Sequence, residues 1–303
     1  MYLRSTDGRS RLMFTPRRQR TLASTAAVAG FGYWSGQDVR VEFRPAPEDH
    51  GIVFVRGDLG RGARIPALVT NRFETPRRTT LRAGAASVEM VEHIMAALAG
   101  LHVDNCEVYV DAAEMPGVDG SSRPFVDAIT AAGIFEQQAR RATLVVRDVI
   151  RLGDHESWVE ARPSAAHGMS IKFFLDYGDA NPIGRQTITL PVTPDSFHRE
   201  LAASRTFMLK SEADWLRAQG LGARTTPKDL LVFGPRGLID NELRFRDECV
   251  RHKTLDMVGD LALAGCDLIG HFVAYRSGHR LNAELVRSVL AQSEYWGDER
   301  RIA

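Results

Sequence analysis

Cysteine is scarce in this chain. Cys106, Cys249 and Cys266 are the three present, and no two of them form a Cys-x-x-Cys pair. Disulfide frameworks and thiolate zinc sites depend on paired or closely spaced cysteines. We therefore expect neither feature, and we interpret the three cysteines as small buried apolar residues.

Long apolar runs and an excess of one charge are also missing. No uninterrupted apolar segment approaches the roughly 18 residues of a membrane-spanning helix, and the N-terminus lacks the apolar core of a signal peptide. Lys and Arg number 39 against 38 Asp and Glu, a net charge of +1, which argues against a general nucleic-acid-binding protein. We expect a cytoplasmic protein without stable membrane insertion and without nucleic acid as a partner.

The N-terminus departs from this charge balance, because residues 1–20 carry six arginines and one acidic residue, Asp7. We interpret residues 1–19 as a basic disordered tail. Transient contact with an anionic surface is the alternative reading. The full length of 303 residues suits one large domain or two ordinary ones.

The first half alternates strand patterns with helix patterns. Residues 39–43 and 51–55 are predicted strands, and apolar spacing predicts a helix over 88–98 that Gly100 ends. A strand over 105–110 and a helix over 124–132 follow. The polar stretch 136–141 is interpreted as a linker.

The second half repeats this plan. A strand set opens at residues 143–150, a helix is predicted from about Phe245 to Ala264, Gly265 ends it, and a strand over 268–275 follows. Aligning His93 with His252 brings the two helix-glycine-strand patterns into near register. We therefore predict a duplicated α+β unit whose two copies face each other.

A metal site is predicted from histidine and carboxylate spacing. His252 and Asp256 stand four residues apart, so a helix directs both side chains the same way. His93 supplies a third ligand, with Glu92 beside it as a base, and three ligands leave a zinc ion one open position for water. Taken singly, each histidine is more often a surface or core residue, and Glu92 alone fits a solvated helix position equally well.

A second cluster adds weight to this interpretation. Asp260 lies one further helical turn beyond Asp256, and His279 follows the last apolar strand in a glycine-containing turn. Such a charged helix face is costly to bury without a cation. Glu92 would take a proton from water, and His279, kept protonated by Asp260, would stabilise the developing oxyanion or protonate the leaving amine.

At these residues the chain resembles the bacterial UDP-3-O-acyl-N-acetylglucosamine deacetylases, zinc hydrolases of lipid A biosynthesis. The resemblance runs from about Arg20 to the C-terminus. It is carried in order by Val91-Glu-His-Ile-Met-Ala-Ala-Leu-Ala-Gly100, Glu114-Met-Pro-Gly-Val-Asp-Gly-Ser121 with Pro124-Phe125, Arg205-Thr-Phe207, Phe245-Arg-Asp-Glu-Cys-Val-Arg-His-Lys-Thr-Leu-Asp-Met-Val-Gly-Asp260 and Ser277-Gly-His-Arg-Leu-Asn282.

The resemblance implies a role for each site residue. His93, His252 and Asp256 would bind one zinc ion, with Fe²⁺ as the alternative metal because such a ligand set accepts either. The implied catalytic residues are Glu92 as general base, His279 as general acid, Asp260 as its orienting partner and Thr206 as an oxyanion donor. The implied substrate contacts are Lys253, Phe207 and Tyr177, the last of which could stack on a base.

The resemblance also implies the architecture. Two similar domains, residues 20–139 and 140–303, would each be a β-sheet covered by helices, and together they would form a β-α-α-β sandwich with the site at the interface. Residues 210–220 would belong to an insert that forms a passage for an acyl chain, although Trp215 and Leu216 in a short amphipathic helix are more often core residues.

Three segments depart from the family pattern. Tyr33 and Trp34 stand where the family has Leu and His, and Met90 stands where it has Thr. The segment 176–182 keeps an aromatic at Tyr177 but lacks the family's His. The catalytic pattern is therefore intact, while the parts expected to read the substrate differ.

The predicted function is zinc-dependent removal of acetate from UDP-3-O-acyl-N-acetylglucosamine by a monomer. One alternative is a paralogue that deacetylates another N-acetylated sugar or a differently acylated substrate. A second alternative, from another functional class, is a non-catalytic binding or regulatory protein on the same fold.

Overall fold

The computed structural model of the chain describes residues 15–60 and 62–295. It has the predicted α+β class, with two similar sheets that are covered by helices. The basic tail predicted at the N-terminus lies outside the described residues up to residue 14, and the first strand opens at Arg18.

The central helix and the strand after it follow each other in both halves, in the order that the sequence patterns indicate. The helices are α1 (Glu92–Gly100), α2 (Arg123–Ala132), α3 (Pro194–Ser196), α4 (Lys210–Ala218), α5 (Glu248–Leu261) and α6 (His279–Tyr295). The strands of the first half are β1 (Arg18–Leu22), β2 (Ala26–Phe31), β3 (Asp38–Pro45), β4 (Ile52–Arg56), β5 (Ala63–Pro66), β6 (Arg72–Phe73), β7 (Thr80–Ala83), β8 (Ala86–Glu89), β9 (Cys106–Val110) and β10 (Ile134–Arg140). Those of the second half are β11 (Thr143–Val145), β12 (Ile150–Gly153), β13 (Trp158–Arg162), β14 (Met169–Asp176), β15 (Arg185–Pro191), β16 (Phe207–Leu209), β17 (Leu231–Gly234), β18 (Gly237–Leu238) and β19 (Asp267–Tyr275).

The two halves share one sheet topology. The first sheet has the strand order β2-β3-β9-β4-β5, and the second has β12-β13-β19-β14-β15. In each sheet the central strand, β9 or β19, follows the central helix of its half, α1 or α5. It pairs antiparallel on one side and parallel on the other. The predicted duplication is therefore present in the backbone pairing as well as in the sequence pattern.

Each half carries one inserted unit before its central helix. The first insert is the sheet β6-β7-β8, and the second is the sheet β16-β17-β18 together with α4. Both inserts lie between the fifth strand of the main sheet and the helix that follows, α1 or α5. They therefore bring loops to the start of those helices, where the predicted site residues lie.

Helices α1 and α5 pack against each other between the two sheets. They approach closely at Gly259, where an added Cβ would run into the carbonyl oxygen of Glu92. Fully buried phenylalanines fill the space on either side, including Phe54 and Phe125 in the first half and Phe173 and Phe272 in the second. The glycine thus lets the helices of the two halves meet backbone to backbone, which places His252 beside His93.

Helix α5 begins at Glu248 rather than near Phe245, and the predicted strand over 143–150 is interrupted after Val145. Three further differences concern the assignment of segments. Residues 88–89 belong to strand β8, and α1 begins only at Glu92, because Met90 has a left-handed backbone (φ 59°) that interrupts regular structure. The polar stretch interpreted as a linker is strand β10, which pairs with β1. His279 lies in the first turn of α6 rather than in a turn before it. Among the described residues, no helix combines the length and apolar character required to cross a membrane.

Candidate active site

The three predicted metal ligands meet where α1 and α5 touch. The donor atoms of His93, His252 and Asp256 all lie within 4.8 Å of one another. Asp256 Oδ1 is 3.2 Å from Nε2 of His252 and 3.6 Å from Nε2 of His93. All three side chains are buried.

The residues present fit a cation. Asp256 Oδ1 is buried and has no hydrogen-bond partner among the residues that the structure describes. An unpaired buried carboxylate oxygen is costly, and two imidazole nitrogens aimed at it form a donor set suited to zinc or iron(II). Asp256 Oδ2 accepts a hydrogen bond from Lys253 Nζ at 2.7 Å, so Oδ1 remains as the free ligand atom.

The protonation states suit metal binding. Burial and the neighbouring His252 lower the pKa of His93 to about 3, and burial also lowers the pKa of His252. Burial opposes the charge on Asp256, but His252 and Lys253 outweigh it and hold the pKa of this carboxyl well below its usual value. Two neutral imidazoles and one carboxylate are the forms that coordinate metals.

The orientation of His252 is fixed by the backbone. Its Nδ1 lies 3.1 Å from the carbonyl oxygen of Ser204, an acceptor that requires a proton on Nδ1. The other ring nitrogen, Nε2, is then left deprotonated and faces Asp256. Partners of this kind set both the tautomer and the ring direction of metal-binding histidines.

Two further ionisable side chains, Glu92 and His279, lie next to this cluster. Oε1 of Glu92 is 3.8 Å from Nε2 of His279. Burial raises the pKa of Glu92 to about 7. Burial alone would lower the pKa of His279, but the carboxylate of Asp260, 2.9 Å from Nδ1, raises it to about 9. The pair can therefore hold a carboxylate and an imidazolium together near neutral pH, as acid–base catalysis requires.

A buried ion pair next to Thr206 holds that residue at the site. Arg205 donates to Glu248 at 2.7 Å, and both side chains are almost fully buried. This pair fixes the segment around Thr206 to the first turn of α5. The amide of Thr206 donates to the carbonyl of Gly120 at 2.7 Å, and Gly120 has a left-handed φ of 79° and so little space that an added Cβ would press on Thr206.

A cavity of about 450 Å³ opens over these groups. Its wall includes nine of the ten predicted site residues, namely Glu92, His93, Tyr177, Thr206, Phe207, His252, Lys253, Asp256 and His279. The tenth, Asp260, is fully buried behind His279. The ring of Phe207 lies between those of Tyr177 and His252, with centroid separations of 6.0 and 6.3 Å.

Comparison with known proteins agrees with this geometry. The family model described as UDP-3-O-acyl N-acetylglycosamine deacetylase matches residues 19–291. The chain belongs to this family. Relatives named UDP-3-O-acyl-N-acetylglucosamine deacetylase include those of Anaeromyxobacter sp. (strain Fw109-5; 40% identity over 90% of this chain and 88% of the relative) and Myxococcus xanthus (39%, 90% and 86%). The relative from Syntrophus aciditrophicus is 36% identical over 92% of this chain and 88% of its own length.

The segments that depart from the family pattern line the cavity. Tyr33, Trp34 and Met90 all contribute to its wall. The hydroxyl of Tyr33 lies 2.5 Å from the carbonyl of Asp229, in the second insert. Glu114 accepts from the amide of Trp34 at 2.7 Å. In this deacetylase-family member, the loop of the first half is therefore fastened to the insert of the second.

Sequence reasoning missed three residues that support the site. Thr79 contacts both Glu92 and Asp260, the Ser204 carbonyl faces His252, and Asn282 donates to Asp260 at 2.8 Å. Asn282 belongs to a recognised family motif, so the sequence offered a signal for it. Thr79 and Ser204 offered none, because part or all of their contribution comes from backbone atoms that every residue has.

Proposed function

We propose that this protein hydrolyses the N-acetyl group of UDP-3-O-acyl-N-acetylglucosamine in a zinc-dependent reaction that belongs to lipid A biosynthesis. The carrying observation is the buried cluster of His93, His252 and Asp256 beside the Glu92–His279 pair, at the wall of one cavity, in a member of the deacetylase family. Its relatives carry this activity in their names.

His93, His252 and Asp256 would hold the zinc ion through the Nε2 atoms and Oδ1. When bound there, the ion supplies Lewis-acid chemistry that makes water nucleophilic near neutral pH. Lys253 keeps the second oxygen of Asp256 occupied, 2.7 Å away. The chain thus presents one oxygen and two nitrogens to the metal and leaves room for water and substrate.

Glu92 and His279 divide the proton transfers. Glu92 accepts a proton from the water that attacks the acetyl carbon. His279 donates a proton to the amide nitrogen as the carbon–nitrogen bond breaks, so that acetate and a free amine are released. Each transfer is worth roughly 10²–10⁴ in rate. Asp260 keeps the imidazolium of His279 oriented and charged.

Thr206 stabilises the charge that develops on the carbonyl oxygen. Thr206 lines the cavity, on a segment that the Arg205–Glu248 pair holds in place. Rigid donors are effective because they need no reorganisation when the charge forms. Oxyanion stabilisation by Thr206 therefore complements the acid and base on the other side of the reacting carbon.

The substrate contacts follow from the chemistry of the cavity wall. Lys253 offers an ammonium group to polar parts of the sugar nucleotide, Phe207 packs on the sugar or the start of the acyl chain, and Tyr177, 38% exposed, offers a ring face to a base. The wall on the side of the second insert is more apolar. Its residues include Met208, Ala213, Leu216, Leu221 and Val232, which suit an acyl chain.

Acetate release from UDP-3-O-acyl-N-acetylglucosamine by the purified protein tests the proposal. We expect turnover that a chelator abolishes and zinc restores, with iron(II) tested alongside as the alternative metal. Metal analysis of wild type against His252→Ala separates the enzyme from a binding protein. Equal, near-zero zinc in both proteins, without turnover, would reject the enzyme.

A paralogue with a different acylated substrate is the second candidate, because the bulky Trp34 lines the cavity at a position where the family has His. Trp34→Ala would then improve turnover of longer acyl chains by about tenfold, the effect of a few methylene contacts. Trp215→Ala is the matched control, since Trp215 is 58% exposed on α4. An unchanged chain-length preference in both variants would assign Trp34 no part in substrate choice.

We further propose that residues 20–139 and 140–303 form the two domains. The monomeric state and cytoplasmic location stay predictions from the sequence. Gel filtration with light scattering, and fractionation of cells that express the protein, would test them.

A further inference from the structure

The base and the acid of the site come from different halves of the chain, yet one residue contacts both the base and the partner of the acid. The amide of Thr79 donates to Glu92 Oε2 at 3.0 Å. Its hydroxyl donates to Asp260 Oδ1 at 2.6 Å. Thr79 itself is 1% exposed and lies just before β7 in the first insert.

The backbone of Thr79 is fixed on both sides. Its carbonyl accepts a hydrogen bond from the amide of Val91, the residue that precedes Glu92, at 3.3 Å. The neighbouring Arg78 donates to Glu89 at 2.7 Å, which ties the start of β7 to the end of β8. Thr79 therefore cannot shift without disturbing the first turn of α1.

The contact with Glu92 gives its two carboxylate oxygens different neighbours. Oε2 is occupied by the amide of Thr79, whereas Oε1 faces Nε2 of His279 at 3.8 Å. Because a carboxylate rotates about a single bond, holding one oxygen also fixes the direction of the other. The oxygen that would accept the proton is thereby aimed at the cavity.

The contact with Asp260 completes a fully bonded carboxylate. Oδ2 accepts from His279 Nδ1 at 2.9 Å and from Asn282 Nδ2 at 2.8 Å, and Oδ1 accepts from Thr79. Asp260 is 0% exposed, so water does not replace a lost donor without entering the core. Loss of the Thr79 hydroxyl would leave Oδ1 unpaired and free the carboxylate to turn away from His279.

We propose that Thr79 is a positioning residue that fixes the orientation of the general base, Glu92, relative to the general acid, His279, across the interface between the two halves. This inference rests on the proposed deacetylase function. Thr79 does not line the cavity wall, so it acts on the reaction through Glu92 and Asp260 rather than through substrate contact.

Thr79→Val tests the hydroxyl, because valine keeps the shape and the amide but loses the donor to Asp260. We expect kcat to fall roughly 10- to 100-fold, the usual effect of removing a partner that orients a site residue, with KM and zinc content unchanged. Thr79→Ser should restore most of kcat, since serine supplies the same donor. If Thr79→Val is recovered unfolded, Thr79→Ala carries the same test with a smaller side chain.

Thr80→Val is the matched control. Thr80 is the next residue, 2% exposed, and its hydroxyl has no hydrogen-bond partner in the described part of the chain. The same substitution there should leave kcat unchanged. An equal loss in both variants would indicate general damage to the insert and would overturn the proposal.

The Asp260→Asn background gives the decisive comparison. If Thr79 acts through Asp260, Thr79→Val will lower kcat by less than about a further twofold in the Asp260→Asn protein, because the hydrogen bond to the carboxylate no longer orients His279 there. Fully multiplicative losses, or wild-type kcat in Thr79→Val, would overturn the proposal. An inactive wild-type protein with bound zinc would instead refute the proposed function, so the two failures are distinguishable.

Discussion

The two halves of this protein have the same sheet topology but carry different chemistry on their central helices. Helix α1 has its ionisable residues, Glu92 and His93, in the first turn, and apolar residues or glycine follow. Helix α5 buries Glu248, His252, Asp256 and Asp260 along its length. Duplication thus supplied the frame, and the halves diverged in the polar groups that they bring to the interface.

The buried acids of α5 show how charged side chains are accommodated in the interior of this protein. Each buried acid on α5 has a partner outside the helix or a ligand role: Glu248 pairs with Arg205, Asp260 accepts from Thr79 and His279, and Asp256 offers a free oxygen to a cation. Partnerless buried charges would be far too costly. The buried acids of the second half are therefore compensated partly by the first half, through Thr79 and His93, and Asp256 keeps one oxygen available for a cation.

Breaking one ligand from each half should give the largest effect. We expect His93→Ala and His252→Ala each to lower kcat/KM by at least about 10³-fold and to lose zinc, because two remaining ligands bind a metal far more weakly than three. His155→Ala is the control, since that side chain is 91% exposed. Metal analysis and acetate release measure the outcome, and zinc retained in His93→Ala would mean that the first half provides no ligand.

Asp260→Asn should change the pH dependence that the general acid sets and leave the one that the general base sets. In the proposed mechanism His279 acts while protonated. Its pKa of about 9 depends on Asp260, because burial and the N-terminus of α6 both disfavour the cation. Without the carboxylate the pKa falls, so the alkaline limb of kcat/KM against pH should move at least one unit lower, with activity reduced about 10²-fold. A bound cation shifts the pKa of His279 in wild type and variant alike, so the difference between them remains. An unmoved alkaline limb would assign that limb to another group.

The sequence patterns indicated the central elements of both halves but misassigned two segments for definable reasons. Residues 88–98 have helical spacing, yet Val88 lies on strand β8, because the left-handed backbone of Met90 separates strand from helix and spacing does not reveal it. Strand β10 is too polar to show alternation, and it exists because β1 pairs with it from far along the chain. Long-range pairing of this kind has no local signature.

The parts of the candidate site that are formed by side chains could be predicted from the sequence. His252 and Asp256 were found from their spacing, His93 was added as the third ligand, and the family resemblance implied the same set; all three meet in the structure. The amide of Thr79 and the carbonyl of Ser204 were not predictable, since backbone groups leave no mark on residue type. Their contributions depend on how the chain folds back on the site.

Gly259→Ala tests whether the halves must touch. A Cβ there meets the carbonyl of Glu92, so α1 and α5 would have to separate. We expect a loss of about 3 kcal/mol in the free energy of unfolding, the upper range for overpacking, together with weaker zinc binding. Gly168→Ala is the control, because an added Cβ meets nothing within 4 Å there. Denaturant unfolding and metal titration give the two readouts, and a variant as stable as the control would refute the close contact.

A cluster of charges joins the halves at equivalent places in the two sheets. Asp104 precedes β9 and Asp267 opens β19, and Arg17, just before β1, donates to both at 2.7 Å. Arg141, just before β11, also contacts Asp104 at 3.0 Å.

Arg17→Ala should therefore lower the free energy of unfolding by about 2 kcal/mol, since it removes charged hydrogen bonds to the nearly buried Asp104. The loss is smaller than for Gly259→Ala because Arg141 still compensates Asp104. The adjacent Arg18→Ala removes a more exposed pair with Glu136 and should change stability by less than about 0.5 kcal/mol. Because neither arginine lies at the cavity wall, kcat should be unchanged in both variants at temperatures where they stay folded. Equal denaturation midpoints for the two variants would show that the cluster orders the termini of the sheets without holding the halves together.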